Sequence, residues 1–292
     1  YTMITQGTGA VINIILDPIL IFGYFGMPRM GIAGAAVATV IGQIIAAILA
    51  LVFNLKCNRE LNISMKGFRP NGHLIVQIYK VGAPSIVVQA IGSLMTYGMN
   101  LILAAFGSAQ TVFGIYFKLQ SFVFMPVFGL NNGMVPIIAY NYGAGHKDRV
   151  IKTIKHSVAY GVGIMFVGLL AMHIFPAQLM RMFDAEESLI AIGAPALETI
   201  SLSFVFAGFC IVAGSVFQAL GNGVYSMIVS VARQMCVLLP VAKLLSLSGE
   251  VTLIWWAFPI AELASVLLTS YFLVRIYRKV ICHIGEPVVQ DA

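Results

Sequence analysis

An aspartate inside an apolar segment is the feature of this chain that most directly suggests chemistry. Asp17 lies in the run 11–22, where an ionised carboxylate is costly unless something binds it. Asn13 precedes it by four residues, so on a helix its amide projects from the same face, and Pro18 removes a backbone donor beside the acid. The two side chains predict half of a cation or proton site. The structural alternative is a carboxylate that only hydrogen-bonds to a neighbouring helix.

The elements that must hold these side chains are membrane helices. Hydrophobic residues make up 60% of the 292 residues and charged residues 10%, whereas soluble domains contain about 25% charged residues. The apolar runs are too long and continuous for barrel strands, so we predict an all-α polytopic membrane protein. Eight runs reach the roughly 20 residues that a bilayer core requires, namely 2–23, 32–53, 82–106, 111–139, 154–175, 190–219, 224–247 and 251–276. The fourth contains two prolines and is predicted to bend.

Basic residues between the apolar runs favour one side of the membrane. That side carries Lys56, Arg59, Lys66, Arg69, Lys80, Lys147, Arg149, Lys152, Lys155, Arg275, Arg278 and Lys279. The opposite side carries Arg29, Arg181 and Lys243 beside the acids Asp184, Glu186 and Glu187. The positive-inside rule therefore places the first side, and with it both ends of the chain, in the cytoplasm.

The chain is predicted to divide at the polar segment 54–80, which links a helix pair at 1–53 to six helices at 81–280, followed by a tail at 281–292. A weak internal repeat supports this division, because Tyr-Thr-Met-Ile at 1–4 returns as Tyr-Ser-Met-Ile at 225–228. If the repeat is real, the last six helices form one complete unit. The first unit then lacks four helices, and we expect the sequence to be truncated at its N-terminus.

Two charges lie near the middle of the last two predicted helices. Arg233 and Glu262 are about nine and eleven residues in from opposite faces, which places both near the midplane at 1.5 Å per residue. A structural ion pair is the favoured interpretation, because arginine does not release a proton for a relay. Lys118 is expected to extend toward the membrane surface or to face a cleft. Met95 and Phe122 belong to a soft, aromatic set that suits apolar cations, although most such residues pack or face lipid.

The most distinctive stretches are NIILDPILIFG at 13–23, MGIAGAAVAT at 30–39 and GLNNGMVPIIAYNYGAGHKDRV at 129–150. They resemble the multidrug and toxic compound extrusion (MATE) transporters, especially the MepA-like multidrug export branch. The resemblance implies twelve helices in two six-helix lobes, of which this chain supplies the last two of the first lobe and the complete second lobe. It also implies export of amphipathic, often cationic small molecules in exchange for H⁺ or Na⁺, with no other cofactor.

The resemblance further implies a cation site in the first lobe. Family members build it from an Asp on the first helix, an Asn and an Asp one turn apart on the fifth, and a Thr on the sixth. Asn13, Asp17 and Thr39 match the last three, and without the first-helix Asp the site is expected to be incomplete. Some sodium-linked members also carry a Glu on the first helix of the second lobe. The stretch 84–98 has no carboxylate, so Gln89 offers only a neutral ligand or a substrate contact.

Several alternatives stay open at this stage. A lipid-linked saccharide flippase of the same superfamily would need cleft cations for pyrophosphate, and only Lys118 and Arg233 are available. An intramembrane enzyme would need Ser/His or paired Asp residues at membrane depth, which His173 and Asp17 do not supply. An inactive fragment is the third alternative. Scattered cysteines and histidines predict no metal site, and no motif predicts nucleic-acid binding. We expect a multi-pass protein of the inner or plasma membrane that is not an enzyme and is monomeric when full length.

Overall fold

The chain forms two compact helical units, Tyr1–Asn71 and Gly72–Ala292. The computed structural model describes residues 1–57 and 71–284. Within these ranges seven helices are long and apolar enough to cross a membrane. The predicted span 190–219 is instead two helices, Glu187–Ser201 and Phe204–Ala219, which meet at 48°. The prediction of eight spans therefore holds only if this bent pair crosses as one span.

The first unit is a pair of closely packed helices, α1 (Thr2–Phe22) and α2 (Ile32–Cys57). Glycines allow the close approach: a Cβ added to Gly42 would lie 2.8 Å from the carbonyl oxygen of Gly9. At the other end of the pair, a Cβ on Gly34 would lie 2.5 Å from the carbonyl oxygen of Leu20. Small residues at such crossings let two membrane helices approach backbone to backbone.

A methyl group at the tighter crossing is expected to destabilise the first unit. Gly34→Ala should lower its free energy of unfolding by about 1–3 kcal/mol, the usual cost of overpacking, because the contact is with backbone that cannot rotate away. Gly7→Ala is the matched control, since nothing lies within 4 Å of its added Cβ. Thermal unfolding in detergent should separate the two variants. Equal stability would show that the crossing is loose.

The second unit contains ten helices and a π-helical segment over its described residues. These are α3 (Gly72–Leu103), α4 (Ala109–Gly143), α5 (Lys147–Ile174), α6 (Pro176–Arg181), α7 (Glu187–Ser201), α8 (Phe204–Ala219), α9 (Gly223–Val231), the π segment Ala232–Leu238, α10 (Leu239–Ser246), α11 (Val251–Ile254) and α12 (Ala257–Lys279). The core lies between them, and its largest fully buried side chains include Phe113, Tyr116, Phe204, Phe217 and Trp255.

Helices of the second unit extend beyond the predicted spans. α5 begins at Lys147 and not at 154, and α3 begins at Gly72 and not at 82. An apolar run defines the part of a helix that suits lipid, and polar turns can continue the same helix past it. Both ends of the predicted linker 54–80 are therefore helical, while residues 58–70 lie outside the described residues. In the predicted tail, Ile281–His283 forms a 3₁₀ turn, and residues 285–292 lie outside the described part.

The break in the helical pattern is not where prolines predicted it. α4 runs continuously over Ala109–Gly143 although it contains Pro126 and Pro136. A packed membrane helix tolerates a missing backbone donor when its neighbours compensate. The 48° bend instead lies between α7 and α8, at residues 202–203.

Candidate cation site and buried ion pair

Asn13 joins the two helices of the first unit through its side-chain amide. Its Nδ2 donates to Asp17 Oδ1 at 3.4 Å on the same helix, and to Thr39 Oγ1 at 3.3 Å on α2. The Thr39 hydroxyl donates in turn to the carbonyl oxygen of Ala35 at 2.9 Å. The structure thus brings together the three residues that the sequence singled out.

The local sequence explains why these groups meet. Asn13 and Asp17 are four residues apart on α1 and share a face, and the glycine crossing holds α2 close enough to bring Thr39 into reach. Pro18 has no N–H and so cannot bond to the carbonyl oxygen of Ile14 one turn earlier. These features place a carboxylate, an amide oxygen and a hydroxyl oxygen near one another.

The Asn13–Asp17–Thr39 site can accept a small cation. Asn13 and Asp17 are half-buried and Thr39 is exposed, so the group is open on one side. Its hydrogen bonds are near the long limit for such bonds, so a competing ligand can displace them at little cost. Oxygen donors with one negative charge suit either a proton on the carboxylate or a hard monovalent cation.

A buried ion pair connects the last two long helical stretches of the second unit. Arg233 Nη1 donates to Glu262 Oε2 at 3.0 Å, with the glutamate side chain 5% exposed and the arginine side chain 29% exposed. Glu262 Oε1 is buried and has no hydrogen-bond partner in the described structure. The pair therefore satisfies one carboxylate oxygen and leaves the other without a donor.

A π-helical segment, Ala232–Leu238, carries the arginine of this pair. Its wider turn ends with the Leu239 N–H bonding to the carbonyl oxygen of Gln234, and Pro240 follows directly. A proline ring at that position would crowd the carbonyl four residues earlier in a normal α-helix. Widening the turn accommodates it, and π-bulges of this kind are frequent at functional sites.

Polar side chains that sequence reasoning missed surround the pair. Tyr116 of α4 interacts electrostatically with both charges. Thr269 Oγ1 donates to Cys210 Sγ at 3.7 Å, and the hydroxyl of Ser265 is buried. Glu262, Ser265 and Thr269 are spaced by three and four residues along α12, so they form one polar stripe on an apolar helix. That spacing is the signal that could have found them.

The predicted cleft residues lie in different surroundings. Gln89 and Phe122 are exposed, whereas Met95 is half-buried against the core. The Lys118 ammonium lies 5.7 Å from the centre of the Phe183 ring, in the segment between α6 and α7. No group of three His, Cys, Asp or Glu side chains in the described ranges is arranged to hold a metal ion.

Membrane-length helices that carry an acidic polar site between two of them define a multi-pass helical membrane protein. The family model MatE matches residues 84–244, more than half of the chain, and the chain belongs to this family. The predicted likeness to MATE transporters of the MepA-like branch is confirmed, and the family consists of transporters rather than enzymes.

Relatives and solved structures agree with this assignment. Multidrug export protein MepA of Staphylococcus aureus (strain bovine RF122 / ET3-1) is 29% identical over 263 residues, covering 89% of this chain and 57% of that protein. The structure of the MATE multidrug transporter DinF-BH in complex with a drug has a TM-score of 0.81 and 34% identity, covering 94% of this chain and 60% of that one. A crystal structure of MATE in complex with MaL6, 21% identical with a TM-score of 0.82, supports the fold alone. The chain thus spans about three-fifths of the length of these proteins.

Proposed function

We propose that this chain belongs to a secondary active exporter that expels amphipathic, often cationic small molecules in exchange for H⁺ or Na⁺. The observation that carries the proposal is the Asn13–Asp17–Thr39 site, an acid in an apolar helix linked through an amide to a second helix. The likeness to MepA supports drug export, and the drug bound in the related DinF-BH structure supports a small molecule as substrate.

Coupling follows from the charge at Asp17. An ionised carboxylate inside a membrane is stabilised by a bound proton or cation. Loading and unloading of this charge on opposite sides of the membrane would favour different arrangements of the helices. A cation moving down its gradient can then drive a substrate the other way, provided that each ligand prefers a different arrangement. Asn13 and Thr39 supply neutral oxygen ligands in this scheme.

We further propose that the two described units belong to different lobes. The pair α1 and α2 would be the last two helices of a first six-helix lobe, with the bent pair α7 and α8 counted as one span of a complete second lobe. The length of the relatives supports this division, since the S. aureus MepA match covers 57% of that protein. The complete transporter is proposed to be monomeric in the cell membrane.

Export is favoured over lipid-linked saccharide flipping by the state of two cations in the second unit. A flippase cleft needs cations that are free to bind pyrophosphate. Arg233 is paired with Glu262 at 3.0 Å, and Lys118 lies over the Phe183 ring. Both positive charges are therefore already engaged by other groups of this chain.

A cell assay tests export directly. Cells that lack their own drug exporters and express a transporter with a complete first lobe should accumulate less of a fluorescent lipophilic cation than vector controls. An ionophore that collapses the driving H⁺ or Na⁺ gradient should remove the difference. Export that survives collapse of both gradients would exclude secondary transport.

The distribution of basic residues predicts the orientation in the membrane. Lys147 Nζ donates to the carbonyl oxygen of Cys282 at 2.9 Å, which puts the start of α5 and the end of α12 at the same end of the second unit. In a version without native cysteines, single cysteines at 60–75 and 145–152 should react with an impermeant thiol reagent only from the cytoplasm. Cysteines at 184–187 should react only from outside, and their labelling from inside would contradict the orientation.

A further inference from the structure

We propose that a groove along the last two turns of α12 binds the headgroup of an anionic phospholipid. The groove has a volume of about 350 Å³ and is lined by Tyr271, Val274, Arg275, Arg278 and Lys279. These positions recur every three to four residues, so they lie on one face of the helix. At 1.5 Å per residue, the face is about 12 Å long from Tyr271 to Lys279.

The three cations of this groove have no acidic partner in the described structure. The ion pairs found there are Arg181–Glu187 and Arg233–Glu262, and neither involves the groove. Arg278 and Lys279 lie three and four residues after Arg275, a spacing at which like charges on a helix repel. A negatively charged ligand between them would relieve this repulsion.

Aromatic packing holds one of the cations in place. The guanidinium of Arg275 lies 5.9 Å from the centre of the Tyr225 ring. Tyr225 is itself stacked on Phe272, with ring centres 4.6 Å apart and planes 12° from parallel. Because this arginine is already ordered, binding an anion there costs less conformational entropy than ordering a free surface side chain.

The position of the groove selects a lipid over a free anion. It lies at the end of a membrane-length helix, beside the start of α5 as the Lys147–Cys282 hydrogen bond shows. Its basic end is at Arg278 and Lys279, while Tyr271 and Val274 continue the groove toward the apolar part of the span. A phosphodiester can accept hydrogen bonds from the guanidinium groups, and acyl chains can cover the apolar wall. Basic pockets at such depths bind anionic headgroups in other membrane proteins.

The test compares two triple variants of the purified protein. One changes the groove (Arg275→Gln, Arg278→Gln, Lys279→Gln). The other is a matched control that changes three basic residues at the start of α5, at the same end of the unit (Arg149→Gln, Lys152→Gln, Lys155→Gln). Native mass spectrometry then measures binding of phosphatidylglycerol and phosphatidylcholine with identical acyl chains.

The parent and the control variant should bind phosphatidylglycerol about tenfold more tightly than phosphatidylcholine, since each nearby cation favours an anionic lipid. The groove variant should bind both lipids equally. Equal losses in the two triple variants, or no preference in the parent, would overturn the site. Displacement of the lipid by inorganic phosphate would show a free-anion site instead. If the groove variant fails to fold, Arg278→Gln should weaken the preference and Arg278→Lys should retain it, and unchanged binding in Arg278→Gln would contradict the proposal.

Discussion

Asp17→Asn is expected to abolish ion-driven efflux while the protein still reaches the membrane. The amide keeps the size of the side chain and can still hydrogen-bond to Asn13, but it cannot carry the charge that a coupling ion neutralises. The variant belongs in a transporter with a complete first lobe, because the site is proposed to need a further acid from that lobe. Efflux of a fluorescent lipophilic cation from energised cells should fall to the vector level. If H⁺ is the coupling ion, the pH dependence of substrate release should disappear with it.

Neighbouring variants give this experiment its scale. Asn13→Ala and Thr39→Ala each remove a neutral ligand and should weaken transport by about tenfold or less, in line with ~1.4 kcal/mol for one polar contact. Asp148→Asn is the matched control, since that aspartate is exposed in the first turn of α5, and it should transport normally. Normal export by Asp17→Asn, with unchanged pH and sodium dependence, would make Asp17 a structural acid.

Removing either member of the Arg233–Glu262 pair alone should strongly destabilise the second unit. Arg233→Gln leaves a buried carboxylate without its cation, and Glu262→Gln leaves an arginine without its anion. Each should cost about 3–5 kcal/mol, as when one partner of a buried pair is removed. The double variant leaves no uncompensated charge and should recover much of the loss. Unfolding in mixed detergent, together with the expression level in membranes, measures all four proteins.

The exposed pair Arg181–Glu187 is the control for this cycle. Its atoms are also close, at 2.9 Å, but the side chains are 61% and 78% exposed. The equivalent double-mutant cycle should give a coupling energy of about 0–1 kcal/mol, because solvent screens exposed pairs. Additive effects at Arg233 and Glu262, with no recovery in the double variant, would exclude an energetic pairing.

The helical spans were predictable because membrane helices need long apolar runs, and α2 illustrates this: it was predicted at 32–53 and observed at Ile32–Cys57. The start of α5 at Lys147 was not predictable from apolarity, since its first turns are polar. The bend at residues 202–203 was missed for a different reason. It depends on how α7 and α8 pack, whereas the prolines that suggested a bend lie in α4, which is unbroken.

Part of the candidate site was also predictable. An acid in an apolar run has few structural explanations, so Asp17 pointed to a site, and the four-residue spacing added Asn13. Thr39 entered only through the resemblance, because nothing in the sequence shows which residue of α2 faces Asn13. That contact depends on the glycine crossing of the two helices. The π segment around Arg233 had no sequence signal beyond Pro240, and the hydroxyls beside Glu262 were overlooked although their spacing along α12 was readable.

The exchange of substrate for a cation is the central claim, and flux in proteoliposomes tests it most directly. A transporter that contains these residues and a complete first lobe is reconstituted, and a gradient of a lipophilic cationic substrate is the sole driving force imposed. H⁺ is followed with a trapped pH dye and Na⁺ with a radioactive tracer. The account predicts that one of the two ions moves against the direction of substrate flow, and that Asp17→Asn abolishes this movement. Substrate flow without ion movement, or with ions moving in the same direction, would contradict the account.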